Sequence, residues 1–431
     1  MNWPLLVFFL CFVLTFVLKI PIGIGMMMSA IFYFLLAPGP AAGIGMAANQ
    51  FLSQMNVKFI LIAVPLFIFA AKVMNMGEVT EMIFRFANAL VGRWRGGMGH
   101  VNVVASLIFS GMTGSALADA SGLGIMEIEA MRKHGYEDGF SCGITAASAT
   151  IGPVFPPSIP MVFYALLSGA SIGALFMGGM IPGILLALCL MGYVAWIAKR
   201  RNYPQGERLG FTVFFIQTLK AVPALLTPII LLGGIYTGVV TPTEAGALAG
   251  AWALIISLFV YRVMGPKKLI YVLFDTAKAT GVVSIIVAAS FSFSYIVSIE
   301  HIPEVFSRLL LDMTENKYVL LLVVNIMFLI LGMFIDVMTI TLVFIPMVLP
   351  LINMLGIDLV HFGVVVVLNM MIGLSTPPFG GLLFVVAGVS GTPLHKIIKE
   401  SLPMTAVMIF VLFLITYVPE LVLFIPRVLG Q

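Results

Sequence analysis

Apolar residues run through this chain in long blocks separated by short polar stretches, at residues 5–17 (continuing past Lys19), 181–197, 225–240, 246–261, 319–335 and 405–418. These blocks approach or reach the roughly 18–20 apolar residues that a helix needs to cross hydrocarbon. A membrane-spanning strand would instead alternate apolar and polar positions over about ten residues, and the blocks do not alternate. The pattern predicts an all-α polytopic membrane protein.

Composition strengthens this picture. The 431-residue chain has 61% hydrophobic residues, a mean hydropathy of +1.14 and 9% charged positions, far below the charged fraction of about 25% usual in soluble domains. No Lys or Arg precedes the first apolar block, so the basic start of a cleaved secretory signal is missing and the block is expected to remain as a membrane helix. Cys11, Cys142 and Cys189 are far apart in apolar surroundings. They have neither metal-ligand nor disulfide spacing and are read as small packing residues. The net charge of +4 sits mostly in loops and does not point to nucleic acid.

A duplication is superimposed on the hydrophobic pattern. Gly111-Met112 precedes Ile151-Gly152-x-x-x-Pro156-Pro157, and Gly332-Met333 precedes Ile372-Gly373-x-x-x-Pro377-Pro378, with 41 positions from glycine to glycine in both. These matches, and that of Pro182 with Pro403, share one offset of 221 residues. A repeated pair of Gly/Pro-interrupted apolar segments points to the binding site of a transporter. The organisation that follows is 1–98 as scaffold helices with a surface arm and 99–198 as a first transport repeat. Residues 199–317 form a basic linker, further scaffold helices and a second arm, and 318–431 form a second transport repeat.

Charge gives the orientation. Lys199, Arg200, Arg201 and Arg208 form the densest basic cluster and Arg262, Lys267 and Lys268 the next, with two apolar blocks between them, so both clusters can be cytoplasmic. The first Gly-Met segment is flanked by Arg93, Arg95, Arg132 and Lys133, the second mainly by Asp312, Glu315, Lys317 and Asp358. The copies are therefore expected to open on opposite sides, as an inverted repeat. Residues 85–97, with Arg85, Arg93, Trp94 and Arg95, read as a helix along the membrane surface that ends in a glycine-rich turn. Residues 105–122 gather Ser110, Gly111, Thr113, Gly114 and Ser115 at their centre, and the second copy carries Gly332 and Asp336. Each reads as a re-entrant hairpin whose polar tip must be covered by protein or by a wet cavity.

The Pro-Pro pairs break two helices. Proline has no amide to give to the carbonyl four residues back, so Pro156 and Pro157 should free the carbonyls of Gly152 and Pro153, and Pro377 and Pro378 those of Gly373 and Leu374. The segments downstream can restart as helices whose first amides face the same gap. Each break then offers oxygens to a small cation and a positive dipole end to an anion. One Pro-Pro pair alone is adequately explained as a kink; two at matching repeat positions favour binding. Ser110, Ser115 and Thr376 add hard oxygen ligands that suit sodium better than a transition metal. Asp119, Glu244 and Asp336 are expected at or near membrane depth, where an unpaired charge costs at least about 2.5–3.5 kcal/mol. Thr241-Pro242-Thr243-Glu244 reads as a helix start capped by its own glutamate, Asp119 and Asp336 are candidates to cap hairpin turns, and Asn325 and Asn369 suit interhelical bonding. The five histidines are scattered near helix ends and form no relay.

The stretches FSGMTGSALADASG (109–122), IGPVFPPSI (151–159), TPTEAG (241–246) and GLSTPP (373–378) resemble the large membrane subunit of tripartite ATP-independent periplasmic (TRAP) transporters, and the resemblance extends over essentially the whole chain. It implies a multi-pass protein of the bacterial inner membrane that imports organic anions such as C4-dicarboxylates or sialic acid. Sodium would drive the import by an elevator movement, with a small four-helix membrane subunit and a soluble periplasmic binding protein as partners. It further implies one sodium site at Ser110 and Ser115 with backbone oxygens of Gly152, Phe155 and Pro157, and a second at Gly332, Gly373, Thr376 and Phe379. The substrate carboxylate is then expected between the hairpin tips, near Thr113, Gly114, Pro156, Asp336 and Pro377. Arg308 is the nearest arginine on offer in the second half.

Two other readings compete. A self-sufficient sodium/carboxylate symporter of similar architecture would need no partner. A membrane-embedded enzyme would need a nucleophile with a base, or a metal triad, for which Asp119 and scattered histidines give poor support. No G-x-x-x-x-G-K-[ST] loop is present, which disfavours ATP drive.

Overall fold

The computed structural model describes residues 3–430 apart from 38–42, 58, 77–78, 207–209 and 315, and apart from the side chains at 53–60, 76, 112–113, 211 and 313. Arg208 and Glu315, two of the orienting charges, lie outside the described residues. Regular structure among the described residues is helical, with one isolated β-type pairing between Arg95 and Gln205.

The chain opens with α1 (Trp3–Val17), α2 (Ile22–Leu36), α3 (Ile44–Val57) and α4 (Ala63–Met76). Helix α5 (Val79–Val91) leaves the line of α4 at 71° and buries Val79, Ile83, Ala87 and Val91, the spacing of one helical face. It overlaps the stretch read from the sequence as a surface arm, beginning further toward the N-terminus. Arg93, Trp94 and Arg95 lie in the turn after it rather than in the helix, because Gly92, Gly96 and Gly97 favour a turn there.

The first repeat continues through α6 (Gly97–Thr113), α7 (Ala116–Ser121), α8 (Leu123–Lys133), α9 (Asp138–Ala149), α10 (Ile159–Ser168) and α11 (Ile172–Arg200). Three helices follow, α12 (Phe211–Tyr236), α13 (Pro242–Ile255) and α14 (Pro266–Ile299). The second repeat comprises α15 (Ile302–Met313), α16 (Lys317–Phe334), α17 (Val337–Met354), α18 (Leu359–Leu374), α19 (Gly381–Ser390), α20 (Leu394–Tyr417) and α21 (Glu420–Val428). At the offset of 221, α5 falls on α15, α6 on α16, α7 with α8 on α17, α9 on α18, α10 on α19 and α11 on α20. The duplication therefore includes α5 and α15.

Packing shows that the copies are inverted. Arg201, at the end of α11, donates to Glu137 and to Glu400, both at 2.9 Å, beside the base of the first hairpin. The start of α11 lies instead against α18 and α21, where Gly178 meets Val360 and Val422. The end of α20 reaches the base of the second hairpin, Tyr417 donating to the Tyr318 carbonyl at 3.3 Å. The two hairpins open toward opposite ends of the antiparallel pair α11 and α20.

Among the described residues seven helices are long and apolar enough to cross a membrane, or eight if α4 and α5 count as one bent span. The longest, α14 at 34 residues, is missing from the apolar blocks because Lys267, Lys268, Asp275 and Lys278 interrupt its first half. Folding places Lys72 of α4 against Asp275 as an ion pair. A continuous core joins the two repeats, while α1, α2 and α14 share a separate cluster around Phe8, Phe34 and Phe293.

Candidate functional site

The site is built where each hairpin tip meets a broken helix. Helix α6 ends at Gly114, whose φ of +58° is left-handed and suits a residue without a Cβ. Ser115 then starts α7, accepting from the Ala118 amide at 3.4 Å. In the second copy Asp336 starts α17, accepting from the amides of Met338 at 3.0 Å and Thr339 at 3.2 Å and from the Thr339 hydroxyl. Its charge thus rests on the positive end of a helix.

Both hairpins clasp the chain at the Pro-Pro breaks, and both Pro-Pro bonds are cis. A methyl added at Gly114 would lie 2.6 Å from the Pro157 carbonyl oxygen, and one at Gly111 would lie 3.8 Å from that of Pro156. In the second copy backbone meets backbone: a Cβ on Gly373 would fall 2.7 Å from the Gly332 Cα. The Gly380 amide, at a φ of +49°, donates to the Met333 carbonyl at 3.1 Å.

Of the four carbonyls expected to be free, two have partners. Ser158, which caps α10, donates its hydroxyl to Pro153, and the Thr376 amide donates to Gly373 at 2.9 Å. Among the described residues no hydrogen bond reaches the carbonyls of Gly152 and Leu374. The two breaks leave non-equivalent repeat positions open, because a serine side chain closes one gap and a tight backbone turn closes the other.

A cavity of about 140 Å³ lies between the tips, lined by Gly114, Ser115, Pro153, Asp336, Met338 and Leu374 among others. Ile159 and Pro160 at the start of α10, and Val337 at the start of α17, also face it, so two helix N-termini converge there. Each short helix crosses to the other repeat, α10 packing on α17 and α19 on α7. The polar stitching expected of Asn325 and Asn369 is present: Asn369 donates to the Asn325 carbonyl at 2.8 Å and to its side chain at 2.9 Å, and Asn325 donates to Thr416 at 3.0 Å.

The first group of site residues converges. Ser110 donates to the Leu107 carbonyl at 2.6 Å, Gly152 lies against Ser115, and Phe155 and Pro157 belong to the clasped break. In the second group Gly332, Gly373 and Thr376 converge, Thr376 donating to the Ile372 carbonyl, whereas the Phe379 ring is 54% exposed and leans on Phe384. Gly114 and Asp336 line the cavity, while the lining at the breaks comes from Pro153, Ile159, Pro160, Met371 and Leu374 rather than Pro156 or Pro377. The side chain of Thr113 is outside the described residues. Arg308 is exposed on α15 and does not line the cavity. Glu244 forms the expected capping box with Thr241. Asp119 caps nothing: it lies within α7, is 1% exposed and has no partner among the described residues. Glu127, which lacked any motif to single it out, is buried to the same extent.

An inverted repeat of hairpins and broken helices around a small central cavity defines a polytopic membrane permease. The chain belongs to the family described as "Tripartite ATP-independent periplasmic transporter, DctM component", which matches residues 9–421, and it is a multi-pass protein of the bacterial inner membrane. It is 41% identical over 407 residues to the sialic acid TRAP transporter large permease protein SiaM of Vibrio cholerae, covering 94% of this chain and 95% of that protein. It is 36% identical over 380 residues to the C4-dicarboxylate TRAP transporter large permease protein DctM of Pseudomonas aeruginosa, covering 88% and 89%. The crystal structure of the Alcanivorax borkumensis YdaH transporter shares its fold, with a TM-score of 0.62 at 12% identity over 96% of this chain and 98% of that one.

Proposed function

We propose that this large permease subunit imports an organic acid anion by coupling to sodium, through an elevator movement of the two repeats against the remaining helices. The observation that carries the reading is the pairing of each hairpin with a broken helix that leaves one carbonyl open, Gly152 in one copy and Leu374 in the other, around a shared cavity. Open carbonyls and serine or threonine hydroxyls suit sodium, and the convergent N-termini of α10 and α17 suit a carboxylate. Two sodium ions, one at each clasp, would complete the polar groups that must otherwise cross apolar surroundings unsatisfied. The names of the relatives, which refer to sialic acid and C4-dicarboxylates, support an organic acid as cargo. A small membrane subunit and a periplasmic binding protein complete the proposed machine.

The test is uptake of labelled sialic acid and C4-dicarboxylates into proteoliposomes, with and without an inward sodium gradient, for this chain alone and with both partners. Uptake that needs all three components and sodium is expected. Uptake by this chain alone would make it a self-sufficient symporter, and sodium-independent uptake would remove the coupling.

A further inference from the structure

A second cavity, of about 380 Å³, lies away from the hairpin tips, where the turn after α5, the start of α6, the link between α8 and α9 and the segment after α11 meet. Its size falls in the range of small-molecule sites, about 300–1,000 Å³, and the transport reading gives it no role. Backbone packed on backbone forms part of its lining. A Cβ on Gly97 would fall 1.9 Å from the Gly92 carbonyl oxygen, and one on Gly206 would fall 2.2 Å from the same atom, so neither position admits a side chain. The segment after α11 is pinned to the turn: the Gly96 amide donates to the Pro204 carbonyl at 3.1 Å, Gln205 to the Arg93 carbonyl at 3.1 Å and Arg95 to the Asn202 side chain at 2.6 Å.

Two donors in this lining have nothing to receive them. Helix α6, 17 residues long, begins at Gly97 after the left-handed Gly96, and no side chain caps it. The Gly97 amide has no hydrogen-bond partner among the described residues, which leaves the positive end of the helix open to the cavity. Tyr136 is 5% exposed, its ring held by Phe140 and by Tyr203, whose centroid is 4.5 Å away. The Met98 amide faces the phenol oxygen, yet the hydroxyl proton finds no acceptor among the described residues. Buried hydroxyl groups are hydrogen-bonded as a rule, so an acceptor from outside the chain fits here.

Positive charge is in excess around the cavity. Arg93 and Arg95 lie within the turn, Lys133 precedes His134 of the lining, and Lys199, Arg200 and Arg201 precede Pro204. Arg93, Arg95 and Lys133 are exposed and enter no ion pair among the described residues. The acids that follow Tyr136 are already matched, Glu137 by Arg201 at 2.9 Å and Asp138 by Arg132 at 2.8 Å. No acidic side chain lines the cavity among the described residues. A hollow with cations at its rim and none of its own acids draws anions, and the clustered basic residues favour the cytoplasmic side.

We propose that this cavity binds a phosphate-type anion on the cytoplasmic side of the membrane, with the Gly97 amide and the Tyr136 hydroxyl as donors and Arg93 supplying charge at the rim. A free phosphate and the phosphate of an anionic lipid headgroup share this chemistry. None of these residues belongs to the sodium or cargo positions, so the binding stands independently of the transport reading.

The test follows apparent Tm of the full-length protein in detergent. In one arm sodium phosphate replaces sodium chloride at constant sodium; in the other phosphatidylglycerol is titrated into the micelles against phosphatidylcholine. A saturable rise is expected: a response to phosphate assigns a free anion, and a response to phosphatidylglycerol alone assigns a lipid headgroup. Phosphate also stabilises proteins by exclusion from their surfaces, so the variants decide. Tyr136→Phe should raise the half-saturating concentration about tenfold, as the loss of one hydrogen bond to a charged group implies. Arg93→Gln should raise it as well, whereas Lys267→Gln, at the exposed start of α14, should leave it unchanged. No saturable rise with either probe, or an unaltered response in Tyr136→Phe, would overturn the proposal. Should Tyr136→Phe not fold, Arg93→Gln against Lys267→Gln decides, and equal responses overturn the site. None of these readings requires uptake, so their failure is distinct from failure of the transport function.

Discussion

At the level of single residues, the closest tolerances lie at the clasps. A Cβ on Gly373 would meet the Gly332 Cα at 2.7 Å and the Leu329 carbonyl oxygen at 2.8 Å, so Gly373→Ala is expected to cost about 1–3 kcal/mol through overpacking, read as a fall in apparent Tm. Gly388, on the neighbouring short helix, has nothing within 4 Å of its would-be Cβ, and Gly388→Ala should be neutral or slightly stabilising in the same assay. The sodium assignments are tested by Ser115→Ala and Thr376→Ala. Each should raise the half-saturating sodium concentration for uptake about tenfold, equivalent to ~1.4 kcal/mol of lost ligation. Unchanged sodium activation in both variants would sink those assignments. Proline chemistry made the openings at Gly152 and Leu374 legible in the sequence. That Ser158 and Thr376 would close the carbonyls beside them was not legible, because both bonds depend on how the chain folds after the break.

Helices and their connections are held by a few polar ties. Arg201 joins α11 to the start of α9 through Glu137 and to α20 through Glu400, and the Glu400 side chain is only 13% exposed. Removing the arginine leaves that carboxylate poorly solvated, so Arg201→Gln should destabilise by about 1–3 kcal/mol, allowing for the partial exposure of the pair. A double-mutant cycle with Glu400→Gln is the check: the second substitution should recover part of the loss, whereas strict additivity would show that the tie contributes nothing. Periodicity and proline spacing in the sequence disclosed hairpins, breaks and the capped start of α13. Helix α14 is missing from the apolar blocks, since charges interrupt its first half, and Asp275 finds its partner only when Lys72, some 200 positions away in the chain, is brought to it.

Over the whole molecule, the proposed elevator movement would take place at the surface between the repeats and the remaining helices. Gly111 of the first hairpin lies against Pro228 of α12, a Cβ at Gly111 falling 2.9 Å from that of Pro228, so a small separation of the two backbones brings the pair to the about 3.5–4.5 Å found in disulfides. In a background lacking the three native cysteines, Gly111→Cys with Pro228→Cys should cross-link on oxidation, arrest uptake and recover on reduction. Continued uptake by the fully cross-linked protein would exclude sliding at this surface.

The sequence by itself determined the membrane class, the duplication and its inverted sense, and the two breaks. Each of these follows from local chemistry or from a count of residues: hydrocarbon thickness sets block length, basic residues favour one side, and proline lacks an amide. Only the tertiary structure decided which carbonyls remain open, that α5 and α15 belong to the duplication, and that Asp119 and Glu127 are buried. Those depend on what lies opposite each group in space, and burial is a property of neighbours that residue order along a chain does not fix.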